Sequence, residues 1–213
     1  MFELRTGRIR GYRGAMVALF RRIGLAGILA LAALAFAGSS SALAAGCPPQ
    51  PLSQTFLPWL DVAWYLPAPD GGFEGGAEDW TLADGAALVD GDNPYLSGER
   101  ALSLPAGSTA TTAPMCIGVE HPTIRLFARN TGAPSSTLAV SVVFSDPLLG
   151  VTRSLPVGLI GAGDDWSPTP VMPVVVNLLS LLGDQQASFR FTALDAGGEW
   201  TIDDVYVDPY KKR

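Results

Sequence analysis

Past residue 45 the chain is cut by glycine and proline into short apolar runs, and several of those runs alternate. This pattern leaves few folds open. A helix needs a longer uninterrupted stretch with a helical repeat, whereas a half-buried strand needs only a short run with every second side chain inward. Ile124, Leu126 and Ala128 fall on one face of such a run, with Arg125, Phe127 and Arg129 on the other. Leu138–Phe144 is rich in valine and stops at Ser145-Asp146-Pro147, a turn signal; Phe189-Arg190-Phe191 alternates again. Further strands are expected at Ala101–Leu104, Ser108–Thr112, Val151–Val157, Val171–Val176 and Thr201–Asp208. Turns are expected at Asp90–Pro94, Asn130–Gly132, Gly161–Asp165 and Asp195–Gly198, and one helical turn at Asn177–Gly183. Strands at this spacing, with no amphipathic helix between them, predict an all-β, two-sheet antiparallel sandwich rather than a βαβ fold.

Two distant segments suggest how the sandwich closes. Gly71-Gly72-Phe73-Glu74-Gly75-Gly76 leads to Trp80-Thr81-Leu82, and Trp200-Thr201-Ile202-Asp203-Asp204-Val205-Tyr206-Val207-Asp208 lies near the end. They read as first and last strands, with acidic groups where the two ends meet.

Residues 1–45 read as a secretory signal peptide, and 46–213 as one β-sandwich domain. Arg5, Arg8, Arg10, Arg13, Arg21 and Arg22 form a basic start, an apolar run spans Ile23 to Ala37, and Ala42-Leu43-Ala44 fits a small-residue cleavage pattern. The apolar run is short for a membrane span, so an uncleaved anchor is the lesser alternative. Arg21-Arg22 hints at twin-arginine export, although the residues after the pair match poorly. Six of the 14 Lys+Arg and one of the 20 Asp+Glu precede residue 46, leaving 8 basic and 19 acidic side chains, a formal −11. Such a surface disfavours nucleic acid and anionic lipid and favours cations. The expected location is extracellular, with no membrane contact after cleavage.

Cys47 and Cys116 are the two cysteines, both in the exported part. In an oxidising compartment they are expected to form one disulfide. It closes a loop of about 70 residues, worth roughly 4 kcal/mol by chain entropy. The alternative is a lipid anchor at Cys47, because Leu43-Ala44-Ala45-Gly46-Cys47 resembles a lipobox; Cys116 would then be a lone thiol.

The order Phe73-Glu74, Gly-rich loop, Trp80, then Ser103-Leu104, Arg125–Arg129 and Ile202-Asp203-Asp204-Val205 resembles jelly-roll β-sandwich modules, the galactose-binding-like and carbohydrate-binding sandwiches. The exported chain is also similar to uncharacterised secreted bacterial proteins sharing the Cys-Pro-Pro start and the Asp-Val-Tyr-Val-Asp-Pro-Tyr ending. The resemblance speaks to fold more than to ligand. It implies a structural Ca²⁺ held by Glu74 and Asp203, with Asp204 as alternate. Hard carboxylate oxygens, completed by backbone carbonyls of a Gly-rich loop, suit that ion. The plain alternative is that these are solvated strand-end acids.

Aromatic rings can stack on sugars. Trp80 and Trp200 are expected in the core, whereas Trp166, in a turn after Asp164-Asp165, and Tyr95, in the Asp-rich loop, are the candidate ligand-binding residues. Trp59, Trp64 and Tyr65 belong to an N-terminal arm expected to pack on the sandwich near Cys116. His121 is the single histidine, and nothing local marks out a nucleophile for it. Neighbouring carboxylates at Asp164-Asp165 and Asp203-Asp204 point to opposite faces of a regular strand, which does not suit glycosidase chemistry. Zinc is disfavoured for want of ligands. No catalytic residue is assigned. The expectation is a non-catalytic secreted protein whose partner is a polysaccharide or cell-surface glycan, a ligand class implied by the resemblance. The alternatives are a structural or interaction protein of the cell envelope or spore surface and, less favoured, a glycan hydrolase.

Overall fold

A computed structural model describes residues 51–118, 121–146, 149–174 and 185–208. The leader, Cys47 and the helical turn expected at Asn177–Gly183 lie outside them. The described strands, in chain order, are β1 (Leu66–Pro67), β2 (Thr81–Ala83), β3 (Ala87–Asp90), β4 (Arg100–Pro105), β5 (Thr109–Thr111), β6 (Met115–Ile117) and β7 (Thr123–Asn130). They continue with β8 (Leu138–Ser145), β9 (Thr152–Ile160), β10 (Ser167–Pro168), β11 (Met172–Pro173), β12 (Gln185–Ala193) and β13 (Glu199–Asp208). One 3-10 turn, Leu57–Trp59, precedes them.

The strands form two antiparallel sheets. The first runs β10-β7-β13-β4-β3, with β1 on β13 and β11 on β7; the second runs β2-β5-β12-β8-β9, with β6 on β12. Strand β12 shows why the second sheet forms. Gln185, Ala187, Phe189, Phe191 and Ala193 are buried, while the residues between them face outward. Inner-facing Leu102, Leu104, Leu126 and Ile202 of the first sheet join Val140, Val142, Phe189 and Phe191 of the second in one core. Full burial of each large apolar side chain contributes about 1.5–3 kcal/mol. The architecture is the predicted two-sheet sandwich of jelly-roll type.

Three details differ from expectation. The segment predicted as the first strand divides: Gly71–Gly76 is a loop, Thr81–Ala83 joins the second sheet, and the strand that meets β13 is Leu66–Pro67. The strand predicted at Val171–Val176 contributes only Met172–Pro173 among the described residues. Pro170 and Pro173 remove ladder donors there. The short edge strand β3, with its alanine-rich start, was not foreseen.

Strand β7 is buried on both faces. Its inner residues are the expected Ile124, Leu126 and Ala128, but Phe127 on the outer face is also fully buried. The arm formed by residues 51–65 covers it. Phe56 packs 5.3 Å from Phe127 and 4.9 Å from Tyr65 between ring centroids. Arg125 fixes this arm, donating from Nη1 to Asp61 Oδ2 at 2.6 Å and from Nε to the Thr169 carbonyl at 2.9 Å. Its guanidinium also lies 4.5 Å from the Phe56 ring centre. Tyr65 donates to the same Asp61 oxygen at 2.7 Å. Burial works to raise the Asp61 pKa, but hydrogen bonds from Tyr65, Ala63 and Arg125 overcome it and hold the carboxyl below its ordinary value.

Candidate functional site

The closing strand carries an irregularity that builds the site. Asp203 pairs with Phe127 and Tyr206 with Arg125, so β13 spends one residue more than β7 between those points. This is a β-bulge. Asp204 absorbs it in the left-handed region, φ 49°, a conformation that aspartate tolerates better than most residues. The opening loop locks onto the bulge: Ala68 N donates to the Val205 carbonyl at 2.8 Å, and Val205 N donates to the Gly71 carbonyl at 3.0 Å. A side chain at residue 71 would start 2.7 Å from Val205 O, so only glycine permits this approach.

Because of the bulge, Asp203 and Asp204 do not point to opposite faces as a regular strand demands. One oxygen from each, and one from Asp92, lie within 4.8 Å of one another. Asp203 is fully buried. Asn93, also buried, sits against all three: its Nδ2 donates to Asp204 Oδ2 at 2.6 Å, to Asp203 Oδ2 at 3.0 Å and to Asp92 Oδ1 at 3.3 Å. Burial, the adjacent Asp92 carboxyl and the Asp204 charge push Asp203 well above the usual carboxylate range. Burial, with the charges of Asp92 and Glu74, raises Asp204 to about 6 even though Asn93 and Tyr206 bond to it.

Glu74 stands at the rim rather than within the triad. Its Oε1 accepts the backbone N–H groups of Glu99 at 2.7 Å and Arg100 at 3.0 Å. A Cβ at Gly98 would lie 2.8 Å from both Glu74 Oε1 and Asp92 Oδ2, so the missing side chain keeps a space between those acids. Among the described residues no lysine or arginine forms an ion pair with Glu74, Asp92, Asp203 or Asp204. Clustered, partly buried carboxylates with hard oxygens, no ion-pair partner among the described residues and a glycine-lined gap are groups that could hold a divalent cation such as Ca²⁺. Asp92 was missed from sequence because Asp90–Pro94 was legible only as a turn; its acidity was the available signal.

One of the candidate ligand residues follows directly on this turn. Tyr95, 47% exposed, packs 4.9 Å from Trp59 and 5.4 Å from Phe127 between ring centroids. Its hydroxyl donates to the Trp166 carbonyl at 3.0 Å. Trp166 is half-buried, and the Arg129 guanidinium lies 5.0 Å from its ring centre. The two candidate ligand residues, 71 positions apart, therefore meet at one surface over the covered face of β7.

The remaining candidates fall elsewhere. Trp80 and Trp200 are core residues, and Trp200 Nε1 donates to Ser136 Oγ at 3.0 Å. His121 is buried, and its Nδ1 accepts the Gly118 N–H at 2.8 Å. Asp164 and Asp165 are exposed. Cys116 is not a free thiol, and its expected partner Cys47 lies outside the described residues.

Together these features define a jelly-roll-type β-sandwich with an acid cluster beside an aromatic surface. No protein-family model matches the chain, and no curated protein does. It is similar to solved β-sandwich domains. The CBM22-1 xylan-binding domain of Paenibacillus barcinonensis Xyn10C is 16% identical with TM-score 0.49, covering 67% of this chain and 94% of that one. A family 22 carbohydrate-binding module of Clostridium thermocellum Xyn10B is 15% identical with TM-score 0.45, covering 65% and 90%. A further xylan-binding domain from CBM 22 is 16% identical with TM-score 0.46, covering 68% and 100%.

Proposed function

We propose that this chain is a secreted, non-catalytic glycan-binding sandwich whose ligand face is built on Tyr95 and Trp166. The observation that carries the reading is the Tyr95 hydroxyl donating to the Trp166 carbonyl at 3.0 Å. It joins two aromatic residues from separate loops at one exposed surface. Sugar rings present apolar C–H faces edged by hydroxyls, and rings flanked by polar groups suit them. Arg129 beside Trp166 and the exposed Asp164 and Asp165 supply such groups. In this reading residues 1–45 direct export, and Cys47 pairs with Cys116. A calcium ion held by Asp92, Asp203 and Asp204, with Glu74 at the rim, supplies the positive charge that cancels repulsion among these acids.

Affinity electrophoresis through plant and microbial polysaccharides tests the reading. Wild type is expected to be retarded by at least one polymer, and Trp166→Ala and Tyr95→Ala are expected to run freely while still melting in one cooperative transition. Retardation unchanged in both variants, or absent across the whole panel, rejects it.

A protein-contact role is the second reading, favoured by a row of exposed apolar side chains on the arm. Leu57, Leu60, Val62 and Trp64 are all solvent-facing, Leu60 at 91%. Exposed apolar groups, where they join into one patch, commonly mark interaction surfaces.

A further inference from the structure

We propose that Asn93 is the positioning residue of the ligand face, holding Tyr95 in register with the bulge of the closing strand. The proposal rests on reading Tyr95 and Trp166 as the glycan surface and names what sets its geometry. The two ends of the Asn93 side chain do different work. Nδ2 faces the carboxylates of Asp203 and Asp204, and the main-chain N–H adds a bond to Asp203 Oδ2 at 3.2 Å. Oδ1 faces the other way, accepting the backbone N–H of Tyr95 at 3.0 Å and of Leu96 at 3.2 Å. An asparagine that accepts the N–H groups two and three residues ahead closes a turn on itself. Pro94 stiffens that turn from within by fixing its own φ.

The consequence is a rigid link across sequence. Asn93 and Asp203 are 110 positions apart, yet the amide ties the exposed turn to a fully buried strand residue. Tyr95 is the second residue beyond that anchor, and its ring and hydroxyl reach Trp59, Phe127 and Trp166. Removing the amide frees the turn at its base while leaving every aromatic side chain in place. A loop held only by the Tyr95 side chain and the main-chain N–H of residue 93 would then sample several positions, and a ligand would have to order it on binding.

The experiment compares wild type, Asn93→Ala, Asn93→Asp and Tyr95→Ala. Amide hydrogen exchange reads the turn without any ligand, and polysaccharide affinity reads the face. In Asn93→Ala the Tyr95 and Leu96 amides are expected to exchange about tenfold faster, the order expected for one lost hydrogen bond. Amides of β7 and β13 should keep their protection, and polysaccharide affinity should fall as far as in Tyr95→Ala. Wild-type exchange at Tyr95 and Leu96 overturns the proposal. So does faster exchange with unchanged affinity when Tyr95→Ala abolishes binding. If wild type binds no polysaccharide, the glycan reading fails, and exchange at the two amides still decides the positioning role. Asn93→Asp keeps the acceptor but sets a negative oxygen against Asp203 and Asp204, so it serves if alanine fails to fold. Its affinity in chelator should drop similarly and recover in millimolar calcium chloride; wild-type affinity in chelator overturns the proposal.

Discussion

Asn93 Nδ2 lies 3.0 Å from Asp203 Oδ2 and 2.6 Å from Asp204 Oδ2, so two consecutive strand residues turn their carboxylates to one amide. A regular strand forbids this, and the left-handed backbone of Asp204 allows it. The acid cluster is therefore a property of the bulge.

If a cation occupies the cluster, it binds the folded chain only and stabilises it by mass action. At about one hundred times its dissociation constant the gain is about 2.7 kcal/mol. Differential scanning calorimetry should show a melting temperature raised by calcium chloride and lowered by chelator. Asp92→Ala should abolish the difference, whereas Glu74→Ala should reduce it, because Glu74 also holds the Glu99 and Arg100 amides. Identical melting of wild type in calcium and in chelator would sink the cation site.

The same acids set a pH dependence whose sign is opposite to ordinary acid denaturation. Folding raises the pKa of Asp204 to about 6 and that of Asp203 further, so the folded state binds more protons than the unfolded one. Their contribution is full below the unfolded carboxylate pKa and is lost as pH rises through the folded values. In chelator, denaturant midpoints should therefore fall between roughly pH 5 and pH 8. Calcium should flatten that slope. Asp61 works the other way: its folded pKa is lowered, so its contribution is lost as pH falls.

The arm depends on Arg125, which bonds Asp61, Thr169 and the Phe56 ring at once. Removing one partner of a largely buried ion pair typically costs about 3 kcal/mol or more. Arg125→Ala should lose about that much in urea titration and make the arm a preferred site for limited proteolysis. An arm as resistant as wild type would show that aromatic packing alone retains it.

Thiol labelling addresses the staple expected between Cys47 and Cys116. Without reductant, neither cysteine of the native protein should react; after denaturation and reduction, both should. Cys47→Ala should lower stability by up to roughly 4 kcal/mol, the chain-entropy value for a loop of this length. Two reactive thiols in the native protein would reject the bond.

Much of the sandwich was legible because strand alternation is a local property. Ile124, Leu126 and Ala128 went inward as their spacing required, and β12 extends the predicted Phe189–Phe191 pattern in both directions. Trp80 and Trp200 were read as core and are buried. Turn chemistry was partly local: Asn93 closes a turn by accepting the Tyr95 and Leu96 N–H groups, although Asp90 ends β3 and the turn is also held from Asp203. What the sequence determined by itself was thus the fold class, the core faces and the positions of several turns. Tertiary structure decided the rest. It brought Asp92 to Asp203, covered Phe127 with the arm, and set Tyr95 against Trp166. Those contacts join residues far apart in sequence, and the bulge that gathers the acids breaks the very period from which strands are read. A two-residue repeat carries no trace of where it will be interrupted, because the bulged backbone is bonded by an opening loop more than 130 residues away, which Gly71 allows onto Val205.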